Sequence, residues 1–188
     1  MDYEKIKEIL RSRLTEKRYI HSLAVADEAK RLATKYGADK EKAYLAGMLH
    51  DITKTATCEE QLLFMKQFGI MLDDITKNSE KLWHAVTGAA YIEKQLGIND
   101  KEIISAVRYH TTAKADMTKF EKILYLADFT SADRDYSDVN VMRRLVDVSM
   151  TDAMGYALSY TINELVEKRS QIHPDTLNAY NEIMKRGK

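Results

Sequence analysis

The sequence predicts an all-α protein, and three observations carry that reading. Its 188 residues include one proline and only seven glycines, whereas a sheet protein of this size needs many tight turns, which draw on both. Apolar residues recur at three- and four-residue spacing along almost the whole chain, the period of a helix with one buried face. Sustained apolar–polar alternation, the mark of a half-buried strand, is hard to find.

Helices are predicted near residues 2–14, 17–36, 39–51, 59–68, 79–96, 100–110, 118–130, 138–148, 151–170 and 174–186. The first lies in MDYEKIKEILRSRL, which mixes both charge signs and lacks the apolar stretch of a secretory signal. The second sets His21 in line with Val25, Ala29, Leu32 and Tyr36 and stops at Gly37, a residue suited to the left-handed position past a helix end. Asp39 can cap the third. On it Ala43, Ala46 and Gly47 precede His50, small steps that would let a neighbouring helix approach closely. Periodicity alone supports 59–68 and 151–170. In 79–96 His84 shares a stripe with Thr87, Gly88 and Tyr91, and Gly97 with Asn99-Asp100 separates this helix from the next. There His110 follows Ile103, Ala106 and Val107. On 118–130 Asp128 follows Phe120 and Leu124. Ser137 or Asp138 can cap 138–148, which contains Val141, Leu145 and Val148. Pro174 suits the first turn of the last helix. No repeat, low-complexity tract or linker interrupts the pattern, so one domain over 1–188 is expected.

Composition excludes several function classes. Lys and Arg number 29 against 29 Asp and Glu, so no global basic field exists to hold a nucleic-acid backbone. The single cysteine, Cys58, excludes a disulfide framework and a Cys-based zinc site and is read as structural. No apolar run approaches the length of a spanning helix. A cytoplasmic protein with neither membrane nor nucleic acid as partner is expected. Oligomeric state is left open, with a homodimer among the options.

His21, His50, His84, His110 and Asp128 are all expected to point inward from different helices. Each alone has a plain alternative. A lone histidine on an apolar face is usually a hydrogen-bonded core residue, Asp128 can pair with an arginine, and a His-Asp dipeptide arises readily by chance. Together they are costly to bury unless they satisfy one another or bind something. A metal does that, because neutral imidazole and carboxylate are its natural nitrogen and oxygen ligands.

The order His21, His50-Asp51, Asp128 resembles the HD-domain metal-dependent phosphohydrolases. RYIHSLAVADEAKRLA around His21, AGMLHDITK around His50-Asp51, ILYLADFTSADRDY around Asp128 and the late IHPDTLNAYN are similar to the YqeK-type members. The resemblance spans about residues 17 to 181. It implies a helical HD-domain bundle and symmetrical bis(5′-nucleosyl)-tetraphosphatase activity, which splits diadenosine tetraphosphate into two ADP by water activated on a metal. His21, His50, Asp51 and Asp128 would hold that metal, with Asp51 also counted as catalytic. His84 and His110 would take a second metal or bind phosphate oxygens directly. Iron is the ion usually associated with the family; manganese, magnesium, cobalt and zinc also suit such ligands.

A metal-activated water needs no serine or cysteine nucleophile, and the chain has neither a GxSxG elbow nor a Gly-rich phosphate loop. A polyphosphate needs cations. Lys54, four residues past His50, is the first candidate and is also counted as catalytic. Arg18, three residues before His21, can share its helix face. Arg134, six past Asp128, could fold back over the metal. Each is otherwise an ordinary solvated charge. His173 is a candidate nucleotide contact by resemblance only; its plain reading is a helix-start residue before Pro174. Two other functions stay open: another HD-type nucleotide phosphatase with the same ligands, and a non-catalytic nucleotide- or metal-binding helical module.

Overall fold

Capping side chains decide where the helices begin. The computed structural model describes residues 3–186, so the first expected helical position, residue 2, lies outside them. Eleven helices occur among the described residues, and no strand: α1 (Tyr3–Arg13), α2 (Glu16–Tyr36), α3 (Lys40–Leu49), α4 (Cys58–Phe68), α5 (Asp74–Lys77), α6 (Glu80–Lys94), α7 (Lys101–Tyr109), α8 (Lys119–Thr130), α9 (Val139–Val148), α10 (Met150–Glu167) and α11 (Pro174–Arg186). Asp39 and Asp100 each accept two backbone N–H bonds at the starts of α3 and α7. Thr57 with Glu60, and Thr118 with Glu121, form reciprocal boxes that satisfy the free N–H groups opening α4 and α8. Gly37 closes α2 at φ 67, a conformation that costs glycine little.

Several boundaries differ from expectation. The helix expected to run to residue 51 ends at Leu49; His50 is its C-cap, and Asp51 lies in a run of turns. His110 likewise caps α7 rather than lying within it. The helix expected at 79–96 is shorter at both ends. That expected at 151–170 starts at Met150, because the Ser149 side chain accepts from the Asp152 N–H, and ends at Glu167. The short α5, capped by Asp73, was not expected, since four residues are too few to show a period. Asp138 precedes α9 but forms no side-chain cap; its carboxylate accepts instead from the Tyr156 hydroxyl at 2.8 Å. Val148 is 82% exposed, and α9 buries Val139, Met142 and Val146 instead.

Helix α2 packs on α3 and α8, α7 lies against both α6 and α8, and α10 contacts α8, α9 and α11. Gly47 makes the α2–α3 approach. A Cβ built there would lie 2.5 Å from the Ala26 Cα and 2.7 Å from its N, both backbone atoms that cannot yield locally. One buried apolar cluster runs from Ile6 to Ile183 and includes Leu32, Leu49, Ile123, Leu124 and Leu158. Among the described residues no helix is long and apolar enough to cross a membrane.

Candidate metal centre

Five elements converge on one buried polar cluster inside this apolar frame. α2 delivers His21, the end of α3 His50 and Asp51, α6 His84, the end of α7 His110, and α8 Asp128. The four histidines and Asp51 are buried; the Asp128 side chain keeps 19% exposure. The rings of His21, His50, His110 and His84 follow one another edge-on, with centroids 5.2, 5.1 and 5.1 Å apart. A buried network holds the turn after Asp51 in place. Thr53 donates to the His84 carbonyl at 3.0 Å, and Gln61 donates to the Thr53 carbonyl at 2.7 Å.

Hydrogen bonds at one ring nitrogen decide what the other can do. His50 Nδ1–H donates to the Gly47 carbonyl at 2.7 Å, and His110 Nδ1–H to the Val107 carbonyl at 2.7 Å. This back-bonding is why both residues end a helix instead of continuing it. His21 Nδ1 meets the Asp133 carboxylate at 2.8 Å. In the neutral form of each ring this places the hydrogen on Nδ1 and leaves Nε2 with its lone pair toward the centre. His21 Nε2 and His50 Nε2 are buried and make no hydrogen bond. His21 Nε2 lies 3.0 Å from Asp128 Oδ1, a lone pair facing a carboxylate. A cation between the two, proton or metal, relieves that arrangement.

Donor atoms within 4.8 Å of one another form three overlapping groups: His21, His50 and Asp51; His50, His110 and Asp128; and Asp51, His84 and His110. Asp51 faces both ways. Its Oδ2 is 3.6 Å from His50 Nε2, and its Oδ1 is 3.1 Å from His84 Nε2 and 3.7 Å from His110 Nε2. The donor set is nitrogen and oxygen only, clustered and partly orphaned, and it fits a divalent transition metal.

Three cations rim the cluster, and they are the three the sequence singled out. Arg18 donates to Asp51 Oδ2 at 3.0 Å. Lys54 Nζ stands 3.3 and 3.2 Å from the two ring nitrogens of His84. Arg134 does fold back: its Nε donates to the Asp128 carbonyl at 2.6 Å, and Nη2 contacts the same residue's carboxylate.

The electrostatics favour positive charge. Burial alone would raise the Asp51 carboxyl, but His50, His110 and His84 outweigh it and hold it well below the usual range. Asp128 is likewise lowered, with burial opposed by His21 and Arg134. Burial pushes His50 and His84 down to about 4, so both are neutral at pH 7, the form that binds metal. At His21 burial lowers the pKa, yet the Asp128 and Asp133 carboxylates overcome it and raise the value. A pocket that favours a protonated imidazole favours a metal cation for the same reason. Burial lowers the Lys54 ammonium, although Asp51 resists.

Grooves open on the cluster from two directions. One of 260 Å³ includes Lys54, His84, Gln61, Lys81 and Trp83. Another of 290 Å³ includes Asp128, Arg134, Phe129, Tyr136 and Tyr160. His173 is not in the cluster. It lines a third groove of 560 Å³, where its Nδ1 accepts from the Asp175 N–H at 3.1 Å, its plain role as a helix-start cap. Its Nε2 reaches Thr76 and Asp73 at 3.2 and 3.3 Å. Cys58 is exposed at the start of α4, outside the core and outside the donor groups; its Sγ is 3.8 Å from Glu80, and it lines the 260 Å³ groove with Lys54 and His84. Sequence reasoning missed Asp133 and the Arg143 guanidinium behind it. The only signal was a polar run, Ser131 to Asp135, directly after α8.

An all-helical bundle whose buried histidines and aspartates are laid out for a divalent metal belongs to a recognisable class. The chain is a member of the HD domain family, whose model matches residues 18–133. It is similar to the symmetrical bis(5′-nucleosyl)-tetraphosphatase of Halalkalibacterium halodurans, with 34% identity over 98% of each chain. The enzyme of the same description from Bacillus subtilis is 33% identical over 96% of this chain and 97% of its own. The crystal structure of a predicted HD superfamily hydrolase involved in NAD metabolism from Clostridium acetobutylicum superposes with a TM-score of 0.95. It shares 34% identity over 99% of this chain and 98% of that one.

Proposed function

We propose that the protein hydrolyses dinucleoside tetraphosphates symmetrically, releasing two nucleoside diphosphates, with diadenosine tetraphosphate as the substrate and two ADP as products. The observation that carries this reading is the joint one: relatives of that description match over nearly the full length, and the residues of the metal centre all lie within the matched region. The continuity of the apolar core from Ile6 to Ile183 supports one domain throughout.

His21, His50, Asp51 and Asp128 would hold a metal, and Asp51 with His84 and His110 would hold a second or bind phosphate oxygens. A divalent ion bound there supplies the acidity that makes water a nucleophile near neutral pH and neutralises phosphoryl charge. Iron is the first candidate by family resemblance; manganese, magnesium, cobalt and zinc suit the same donors. The chain's own residues do the rest. Asp51 accepts hydrogen bonds or ligates from both sides and keeps its charge. Lys54, Arg18 and Arg134 ring the opening, where a tetraphosphate carries its negative charge, and hold the bridge in line for attack. The two grooves, one beside Lys54 and one beside Arg134, suit a substrate with a nucleoside at each end. Water attacks one β-phosphorus; the P–O bond to the central bridging oxygen breaks, and the second diphosphate leaves carrying that oxygen. A cation beside it offsets the developing charge.

Chromatography of the products after incubating metal-loaded protein with diadenosine tetraphosphate tests this. ADP alone supports it. Orthophosphate from nucleoside monophosphates, or triphosphate from nucleoside triphosphates, with diadenosine tetraphosphate left intact, would assign a different nucleotide phosphohydrolase. No turnover of any nucleotide by the loaded protein would leave the non-catalytic reading.

A further inference from the structure

Three histidines of the cluster set Nδ1 against an acceptor: His50 and His110 use a backbone carbonyl, and His21 uses a carboxylate, Asp133, at 2.8 Å. That carboxylate is itself held. Its Oδ1 accepts from the Ser131 hydroxyl at 2.7 Å, and Ser131 is fully buried at the C-cap of α8. The backbone around it is clamped from α9. Arg143 Nε donates to the Thr130 carbonyl at 3.1 Å, and Nη2 reaches the carbonyls of Ser131 at 2.7 Å and Arg134 at 3.2 Å. One guanidinium thus satisfies the last carbonyl of α8 and that of its C-cap, and fixes the loop that bears both Asp133 and Arg134. Asp133 itself is exposed and adds nothing to the apolar core.

We propose that Asp133 is a positioning residue for the metal centre, acting through His21. By accepting from Nδ1–H it fixes the ring's tautomer and orientation, so that Nε2 presents its lone pair beside Asp128 Oδ1. It also makes His21 the strongest donor of the set, because a carboxylate partner increases imidazole basicity more than a carbonyl does. Arg143 and Ser131 hold the carboxylate at its post. The assignment rests on the metal-centre reading above and goes beyond it by naming which outer residue tunes which ligand.

Two measurements on the full chain test this. Titration calorimetry of metal-stripped protein with Mn²⁺ should show Asp133→Ala binding weaker by roughly 10–100-fold. Asp133→Asn, which keeps the shape and an acceptor but not the charge, should fall between that variant and the parent. Nitrogen NMR of the metal-free protein, at a pH above the raised His21 titration where the ring is neutral, should show His21 as the Nδ1–H tautomer in the parent and a mixture of tautomers in Asp133→Ala. A purely structural role would move neither readout in Asp133→Asn relative to parent once the helical circular-dichroism spectrum is matched. Unchanged Mn²⁺ affinity in both variants, with the parent binding normally, overturns the role of Asp133 alone. A parent that binds no Mn²⁺ overturns the metal-centre reading and this assignment with it.

Discussion

His50 and His110 are the same device used twice: each ends its helix by donating Nδ1–H to the carbonyl three residues back, at 2.7 Å, and their rings meet edge-on with centroids 5.1 Å apart. The bond that stops the helix is the bond that frees Nε2. Helix termination and ring orientation are therefore one event, and the two ends, α3 and α7, pack together to bring the rings face to edge.

That pairing depends on how closely α3 lies on α2. Gly47→Ala should destabilise the fold by about 1–3 kcal/mol, because the added methyl meets the Ala26 backbone at 2.5 Å. Urea unfolding of the metal-free variant measures this; an unchanged midpoint would mean the helices separate without cost.

The residues of the buried cluster were legible in the sequence because two independent signals coincided. His21 shares its face with Val25, Ala29 and Leu32, all fully buried, and the His50-Asp51 wording matched a known order. Their helical placement was less legible: a periodic pattern carried through His50 and His110 does not show that the ring itself ends the helix. Asp133 and Arg143 could not be read at all. They act across a loop and between α8 and α9, where no period links the residues, and a carboxylate in a polar run looks like any solvated charge. Val148 misled for the converse reason, since an apolar residue in the last turn of α9 kept the period while facing solvent.

Asp128→Ala should abolish turnover and lower bound metal while leaving the helical circular-dichroism spectrum in place. The apolar faces of α8 still hold the core, and stranding the polar groups around the lost carboxylate costs about 1–3 kcal/mol. Elemental analysis and a nucleotide hydrolysis assay on one preparation check this; parent-level activity would remove Asp128 from the ligand set.

Lys54→Met should reduce kcat by about 10²-fold with a smaller change in KM, since a cation that meets charge developing on the leaving phosphate acts mainly in the transition state. The larger effect falling on KM would make Lys54 a substrate anchor only.

Acid should weaken one local contact far from the centre. The Asp73 carboxyl is pulled well down, against its partial burial, by Thr76 and His173. Its folded pKa therefore lies below the unfolded value near 4, so its contribution is present above that value and fades as pH falls through the folded one. The stability gap between parent and Asp73→Asn should be constant near neutrality and narrow below about pH 4. Denaturant titrations across that range measure it; a gap that widens with acid would reverse the sign.

Cleavage position tests the central claim most directly. Diadenosine tetraphosphate hydrolysed by the metal-loaded protein in heavy-oxygen water should give ADP alone, with one label per turnover on the terminal phosphate of one of the two ADP molecules. This follows from attack at a β-phosphorus with the other ADP leaving. AMP and ATP as products would place the attack at an outer phosphorus and contradict symmetrical hydrolysis.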